Sequence, residues 1–137
     1  MKAAIIYVSS TGTTARAAKA MGEILETQGH QVQVQSAVDA DPGEVASADL
    51  ICIGSWVQGW FVVRQHPTAT SMQFIDRLGD LSGKQAVVFC TYKLAAGSTL
   101  RQMGEPLEAK GAEIVGRFKF RGPDPDGEFA GFAASLG

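Results

Sequence analysis

A run of hydroxyl-bearing residues around one glycine, near the start of the chain, has the residue types and spacing of an anion-binding turn. The run is Ser9, Ser10, Thr11, Gly12, Thr13 and Thr14. The apolar residues before it predict a buried strand, and the residues after it have the apolar spacing of a helix. A helix that begins at such a turn presents unpaired backbone N–H groups and the positive end of its dipole, so it binds phosphate without a cationic side chain. We therefore predict a phosphate site at residues 9–14.

Aromatic residues mark two later segments, residues 55–69 and residues 91–98. The first segment contains Trp56 and Trp60, and the second contains Tyr92. Loops that expose large aromatic side chains usually do so for binding, and these side chains have enough surface to hold a flat ring. Two other interpretations stay open: either tryptophan could pack beneath a long loop, and Tyr92 could lie at the rim of a site.

The elements that position these segments follow from the periodicity of the apolar residues. Continuous apolar runs, and one alternating run, predict strands, whereas helical spacing ended by glycine predicts helices. The predicted strands are residues 3–8, 31–36, 49–54, 85–90 and 112–120, and the predicted helices are residues 13–28, 70–79 and 99–110, with short helical pieces at 43–46 and 129–136. Pro106 predicts a kink or a restart in the third long helix, because proline lacks the N–H that a helix interior needs.

The alternation of strands and helices predicts an α/β fold: a three-layer, doubly wound, five-stranded parallel sheet with helices on both faces. We expect a single domain over residues 1–137, as the length of the chain suggests. In such sheets ligands bind beyond the carboxyl ends of the strands, where the strand order reverses. The hydroxyl-rich turn and the two aromatic segments each follow an apolar strand, so they should converge on one site.

The first motif carries a family resemblance. The pattern Ile5-Ile6-Tyr7-x-Ser9-x-x-Gly12-x-Thr14-x-x-x-Ala18 resembles the flavodoxin signature at every specified position. The order of elements, the chain length, Gly54-Ser55 after the third predicted strand and Gly111-Ala112 before the last extend the resemblance over the whole chain. The resemblance implies a flavodoxin-like sheet with strand order 2-1-3-4-5 and non-covalently bound FMN at the switch point.

The resemblance also implies which residues hold the FMN. The phosphate would rest on the first turn, and the isoalloxazine ring would lie between the two aromatic segments. Trp56 or Trp60 would stack on the ring from one side and Tyr92 from the other. The implied cofactor-binding residues are Ser9, Ser10, Thr11, Gly12, Thr13, Thr14, Ser55, Trp56, Val57, Gln58, Gly59, Trp60, Thr91, Tyr92, Lys93, Leu94, Ala95 and Gly97.

The implied function is electron transfer between redox protein partners, a reductase and an acceptor, through the bound FMN. The sequence offers no pattern for an activated nucleophile, a general base or a metal triad, which favours a carrier over a substrate-transforming enzyme. An FMN-dependent NAD(P)H:quinone reductase of the same fold is the alternative, because Arg64 and Lys93 would suit a nicotinamide phosphate. A second alternative is a flavodoxin-like module that has lost its cofactor and binds a protein partner.

The aromatic segments depart from the pattern of short-chain electron-transfer flavodoxins, which usually carry acidic residues beside the flavin. Here they contain Arg64, His66 and Lys93 and no carboxylate. Repulsion of the reduced, anionic flavin would be weak or reversed. We expect the lowest reduction potential to lie higher than in a typical flavodoxin.

The composition of the chain argues against several other classes of protein. The formal net charge is -2, so nothing suggests a nucleic-acid partner. There is no CxxC pattern, and the two histidines are scattered, so we predict no metal site. Cys52 and Cys90 lie in apolar runs, which predicts buried, reduced thiols and fits the cytoplasm. The N-terminal residues read as a strand rather than a signal peptide, and we expect no membrane insertion.

Overall fold

The computed structural model describes residues 1–9, 12–60, 63–93, 95–125 and 127–136, with the backbone alone for residues 59, 60, 63 and 64. Strands and helices alternate along these residues, as the sequence predicts. The elements are β1 (Lys2–Val8), α1 (Thr13–Thr27), β2 (Gln31–Ser36), α2 (Pro42–Ala46), β3 (Leu50–Trp56), β4 (Gln58–Trp60), β5 (Val63–His66), α3 (Ala69–Arg77), β6 (Gln85–Thr91), α4 (Thr99–Ala109), β7 (Glu113–Phe120) and α5 (Gly127–Ser135).

Within the described residues, the main sheet is five-stranded and parallel, in the order β2-β1-β3-β6-β7. The five predicted strands therefore adopt the predicted order 2-1-3-4-5, with β6 and β7 as the fourth and fifth. In the centre of the sheet, Ile5 of β1 lies opposite Val34 on one side and Cys52 on the other. The order reverses between β1 and β3, and the rule for doubly wound sheets places a ligand crevice beyond the carboxyl ends at that point.

Each face of the sheet has its own apolar core. Helices α1 and α5 cover one face, where Met21, Leu25 and Phe129 are buried. Helices α2, α3 and α4 cover the other, where Phe74 and Met103 are buried. The central strands are therefore apolar on both faces, which is why their sequences are continuous apolar runs rather than alternating ones.

The segment 55–69 differs from the expected loop. Strand β3 continues to Trp56, and β4 and β5 then form an antiparallel hairpin in which Gln58 lies opposite His66. The strands were missed because their polar residues show no clean apolar alternation. Gln65 is 7% exposed, so a tertiary contact, described below, buries a side chain that the local pattern assigns to solvent.

Of the kink or restart expected at Pro106, the restart does not occur. Helix α4 runs as one element from Thr99 to Ala109 with Pro106 inside it. Proline removes one i→i−4 hydrogen bond, and Pro106 stands in the last turn, where few further bonds depend on it. In the part of the chain described here, none of the helices combines the length and apolar character needed to cross a membrane.

Candidate functional site

The carboxyl ends of β1, β3 and β6 lie side by side, as expected from the sequence. Val8 lies opposite Ser55, and Trp56 lies opposite Thr91. Neighbouring strands are about 4.8 Å apart, so the turn after β1 and the two aromatic segments meet at one edge of the sheet. This edge is the candidate site.

The turn after β1 leads into an open helix start. Gly12, with φ 87°, is the N-cap of α1, and its N–H donates to Ser9 Oγ at 2.9 Å. Among the described residues, no side chain caps α1, and no acidic residue stands in its first turn. Apart from Gly12 itself, its chain neighbours and the backbone of α1, no described atom lies within 4 Å of the position that a Cβ on Gly12 would occupy. Within the described part of the chain, no side chain therefore competes with an anion at the start of α1.

Thr14 and Thr91 join this turn to the end of β6. Their hydroxyl oxygens are 2.7 Å apart, and the residues are 1% and 4% exposed. The sequence assigned Thr14 to the phosphate and Thr91 to the ring, but did not connect them. A hydroxyl has one proton to donate, so whichever of the two accepts keeps its own proton for another partner. Ser10 and Thr11 of the predicted turn lie outside the described residues, and Thr13 is half-buried.

Hydroxyl groups close the base of the segment after β3. Ser55 is fully buried, and its Oγ accepts from the backbone N–H of Thr68 at 2.9 Å. Thr68 Oγ1 in turn accepts from the N–H of Ser71 at 3.3 Å and caps the start of α3. The Ser55 side chain therefore positions the segment from below. A threonine directly before a helical pattern is an N-cap signal that could have identified Thr68, but the pairing with Ser55 needs the fold.

Residues 56–58 connect the last residue of β3 to the first residue of β4 and run beside the end of β6. The N–H of Val57 donates to the carbonyl of Thr91 at 3.0 Å. Trp56, Val57 and Gln58 are half-buried, so each keeps part of its surface exposed. Gly59 and Trp60 belong to the backbone of β4, and the side chain of Trp60 lies outside the description.

A glutamine of α4 ties the hairpin to the segment after β6. Gln102 Nε2 donates to the carbonyl of Gln65 at 3.0 Å and to Ser98 Oγ at 2.9 Å. The two segments also touch at Gly97, where a Cβ would lie only 2.8 Å from Cβ of Gln65. The prediction contains Gly97 but neither glutamine. No sequence signal marks them, because polar residues on a helix or a loop normally face solvent.

Tyr92 follows β6 and is held by the end of β7. Its N–H donates to the carbonyl of Phe120 at 3.0 Å, and Cζ of Arg121 lies over its half-buried ring, 5.6 Å from the ring centroid. Arg121 was not predicted, because only the register of β6 and β7 brings it to Tyr92. Lys93 is exposed and Ala95 is half-buried, whereas Leu94 lies outside the described residues.

The cysteine nearest the site is not a reactive thiol. Cys90 is buried one residue before Thr91, and burial raises the pKa of its thiol to about 12, although the charge of Lys119 opposes the increase. Burial also raises the pKa of the Cys52 thiol to about 12. Thiolates, rather than thiols, are the nucleophiles, so neither group can serve as one near neutral pH. The described residues hold no cluster of His, Cys, Asp or Glu that could bind a metal ion.

Solved structures of flavodoxins share this architecture. The structure from Megasphaera elsdenii is 23% identical with a TM-score of 0.81, and the match covers 96% of each chain. A flavodoxin from the domain Archaea is 24% identical with a TM-score of 0.75, covering 99% of this chain and 93% of that one. Flavodoxin 2 from Bacillus cereus is 26% identical with a TM-score of 0.75, covering 99% of this chain and 94% of that one.

The sequence itself matches a family model. No curated protein matches the chain with significance. The family model described as Flavodoxin, however, matches residues 5–133, which includes the turn after β1, both aromatic segments and most of α5. The chain therefore belongs to the flavodoxin family, whose members bind FMN.

Proposed function

We propose that residues 1–137 form one FMN-binding domain that carries electrons between redox protein partners in the cytoplasm. The observation that supports this most is the open start of α1 beside two half-buried aromatic residues, Trp56 and Tyr92, on neighbouring strand ends. An uncapped helix start suits a phosphate, and aromatic faces suit a flat ring. Both parts of FMN thus have a counterpart at one edge of the sheet.

The residues at the start of α1 fit a phosphate group. The left-handed backbone of Gly12 suits a tight turn, and the start of α1 has no side-chain cap among the described residues. Ser9 orders the turn through its bond to Gly12, and Thr13 adds a hydroxyl at the first helical position. Backbone N–H groups and the helix dipole then supply the attraction.

The residues after β3 and β6 fit a flat aromatic ring with a polar edge. Trp56 and Tyr92 supply apolar faces, and the loop after Thr91 supplies backbone donors and acceptors for the polar edge. Gln102 joins the hairpin to this loop through two hydrogen bonds, which limits how far the two segments can move apart. Such preorganisation lowers the cost of ordering the cleft when a ligand binds.

Bound FMN supplies the reversible electron chemistry, and the chain supplies binding, orientation and the electrostatic environment. Neither cysteine offers a thiolate, since burial raises the pKa of each thiol to about 12. We propose that Lys93 and His66, both exposed, favour the more negatively charged, reduced cofactor. A redox titration that gives a very low second potential would contradict this proposal.

The test of the proposed function is the visible absorption spectrum of the purified protein, with release and identification of its cofactor. A yellow protein that releases FMN, and an apoprotein that takes up added FMN with a submicromolar dissociation constant, are the expected results. A colourless protein that takes up no FMN would overturn the proposal and favour a cofactor-free interaction module.

A reductase that accepts electrons directly from NAD(P)H is the second candidate. Lys93 and Arg121 are exposed and form no ion pair within the described part of the chain, so they could receive a nicotinamide phosphate. Stopped-flow mixing with NADPH separates the two candidates. We expect slow flavin reduction in the absence of a separate reductase, and rapid reduction would favour the second candidate.

A further inference from the structure

Arg121 lies at the site although neither the flavodoxin motif nor the aromatic segments contain it. Its guanidinium covers the ring of Tyr92. We propose that Arg121 is a positioning residue that acts through Tyr92 and raises the reduction potential of bound FMN. This inference rests on the proposed FMN-dependent function.

The position of Arg121 is set by the sheet. Thr91 lies opposite Phe120, and the N–H of Tyr92 donates to the Phe120 carbonyl at 3.0 Å. The Phe120 side chain is 2% exposed and packs against Phe89, with 6.5 Å between ring centroids. The backbone on both sides of the contact is therefore anchored in the core, and Arg121 leaves the end of β7 directly beside Tyr92.

Arg121 and a flat ligand would use opposite faces of the same ring. A tyrosine ring has two faces, and the guanidinium covers one of them. In this proposal the other face stacks on the isoalloxazine. A cation over an aromatic ring is attracted by the ring quadrupole, by an amount that corresponds to roughly a two- to fivefold change in an equilibrium constant at an exposed site. Arg121 therefore both favours one orientation of Tyr92 and places a positive charge behind it.

Among the described residues, no carboxylate forms an ion pair with Arg121. The ion pairs among the described residues are Arg101–Glu105 and Arg117–Glu108, and Arg121 belongs to neither. Asp124 is exposed in the loop that follows and lies outside ion-pair distance of Arg121. Reduced flavin carries more negative charge than oxidised flavin, so an uncompensated cation near the ring strengthens binding of the reduced form.

Three variants test this proposal. Arg121→Gln removes the charge, Arg121→Lys keeps it without the planar guanidinium, and Arg117→Gln removes a charge earlier on β7. The measured quantity is the ratio of the dissociation constants of each protein for oxidised and reduced FMN, obtained from the potentials of bound and free FMN. We expect Arg121→Gln to lower this ratio by roughly two- to fivefold at low salt, Arg121→Lys to retain most of it, and Arg117→Gln to leave it unchanged.

Ionic strength separates a charge effect from a packing effect. Exposed charges are screened with a Debye length of about 10 Å at 0.1 M salt and about 3 Å at 1 M, so the difference between wild type and Arg121→Gln should shrink at high salt. The inference about Arg121 would be overturned by an unchanged ratio in Arg121→Gln at low salt. Equal and salt-independent shifts of the ratio in Arg121→Gln and Arg121→Lys would overturn it as well. In either case, FMN binding by the wild-type protein still supports the proposed function. A wild-type apoprotein that takes up no FMN overturns both.

Discussion

The hydroxyl oxygens of Thr14 and Thr91 lie 2.7 Å apart in the interior, across 77 residues of sequence. Thr14 belongs to the first turn of α1, where the phosphate is proposed to bind, and Thr91 ends β6, where the ring is proposed to bind. One hydrogen bond therefore connects the two parts of the candidate site. Its loss should affect both.

Thr14→Val and Thr91→Val test this connection. Each single substitution leaves a buried hydroxyl without a partner, which costs about 1–3 kcal/mol, whereas the double variant removes both groups. We expect each single variant to lower the free energy of unfolding and to weaken FMN binding about tenfold, with the double variant less destabilised than the sum of the two. Urea denaturation and FMN titration measure these effects. Exposed Thr27 on the same helix provides the control, Thr27→Val, and additive losses would argue against coupling.

Gly12→Ala tests the phosphate turn. Alanine at φ 87° costs about 1–2 kcal/mol of backbone strain, although no described atom would clash with the new Cβ. The turn should relax, and FMN affinity should fall much more than riboflavin affinity because only FMN carries the phosphate. Gly83→Ala is a matched control, since Gly83 has φ 81° and equally open surroundings away from the site. Equal effects of Gly12→Ala on both ligands would exclude a phosphate role for this turn.

Gln102→Leu tests the brace between the hairpin and the segment after β6. The substitution removes the donor to the Gln65 carbonyl and to Ser98 Oγ. The hairpin should loosen, so its amides should exchange faster with solvent in the apoprotein, and FMN should dissociate several-fold faster. Hydrogen exchange and stopped-flow release measure the two effects. The same substitution at exposed Gln73 of α3 should change neither, and unchanged hairpin exchange in Gln102→Leu would refute the brace.

The raised pKa values of the two thiols predict how the free energy of unfolding depends on pH. Burial raises the pKa of Cys52 and Cys90 from 9.0 to about 12, so the folded protein binds more protons than the unfolded chain between these values. Stability should therefore be unaffected by the thiols below pH 9 and fall above it, by up to about 1.4 kcal/mol per pH unit for each thiol. Urea denaturation at pH 8, 9.5 and 10.5 should show a smaller decrease in the Cys52→Ala/Cys90→Ala variant. Equal decreases in the free energy of unfolding of the wild type and the double variant would show that the thiols do not cause the pH dependence.

The sequence predicted the main sheet well because parallel strands covered on both faces need apolar residues throughout. The predicted strand 85–90 lies within β6, for example, and the predicted strand 49–54 coincides with β3 from residue 50 onwards; β3 and β6 each extend slightly further towards the site. The order of the strands came from the family motif around Gly12 rather than from periodicity. The residues predicted to bind FMN remain predictions, although the structure brings the three segments that contain them to one edge.

The features that were missed all depend on contacts between distant residues. In the hairpin, the Gln65 carbonyl accepts from Gln102 of α4 and the Gln65 side chain is buried, and a buried glutamine looks like a solvent-exposed one in sequence. Arg121 needs the register of β7 against β6 to reach Tyr92. Local periodicity reports which face of an element is apolar, but it does not report which polar groups from different elements meet.

Ser55 and Thr68 have a consequence for how this family can vary. Their contact brings together the two points where the hairpin leaves and rejoins the domain, and both points are buried. Insertions or replacements between them lengthen or reshape one wall of the cleft while both attachment points stay in place. The length of the hairpin is thus not fixed by the two ends at which it joins the domain.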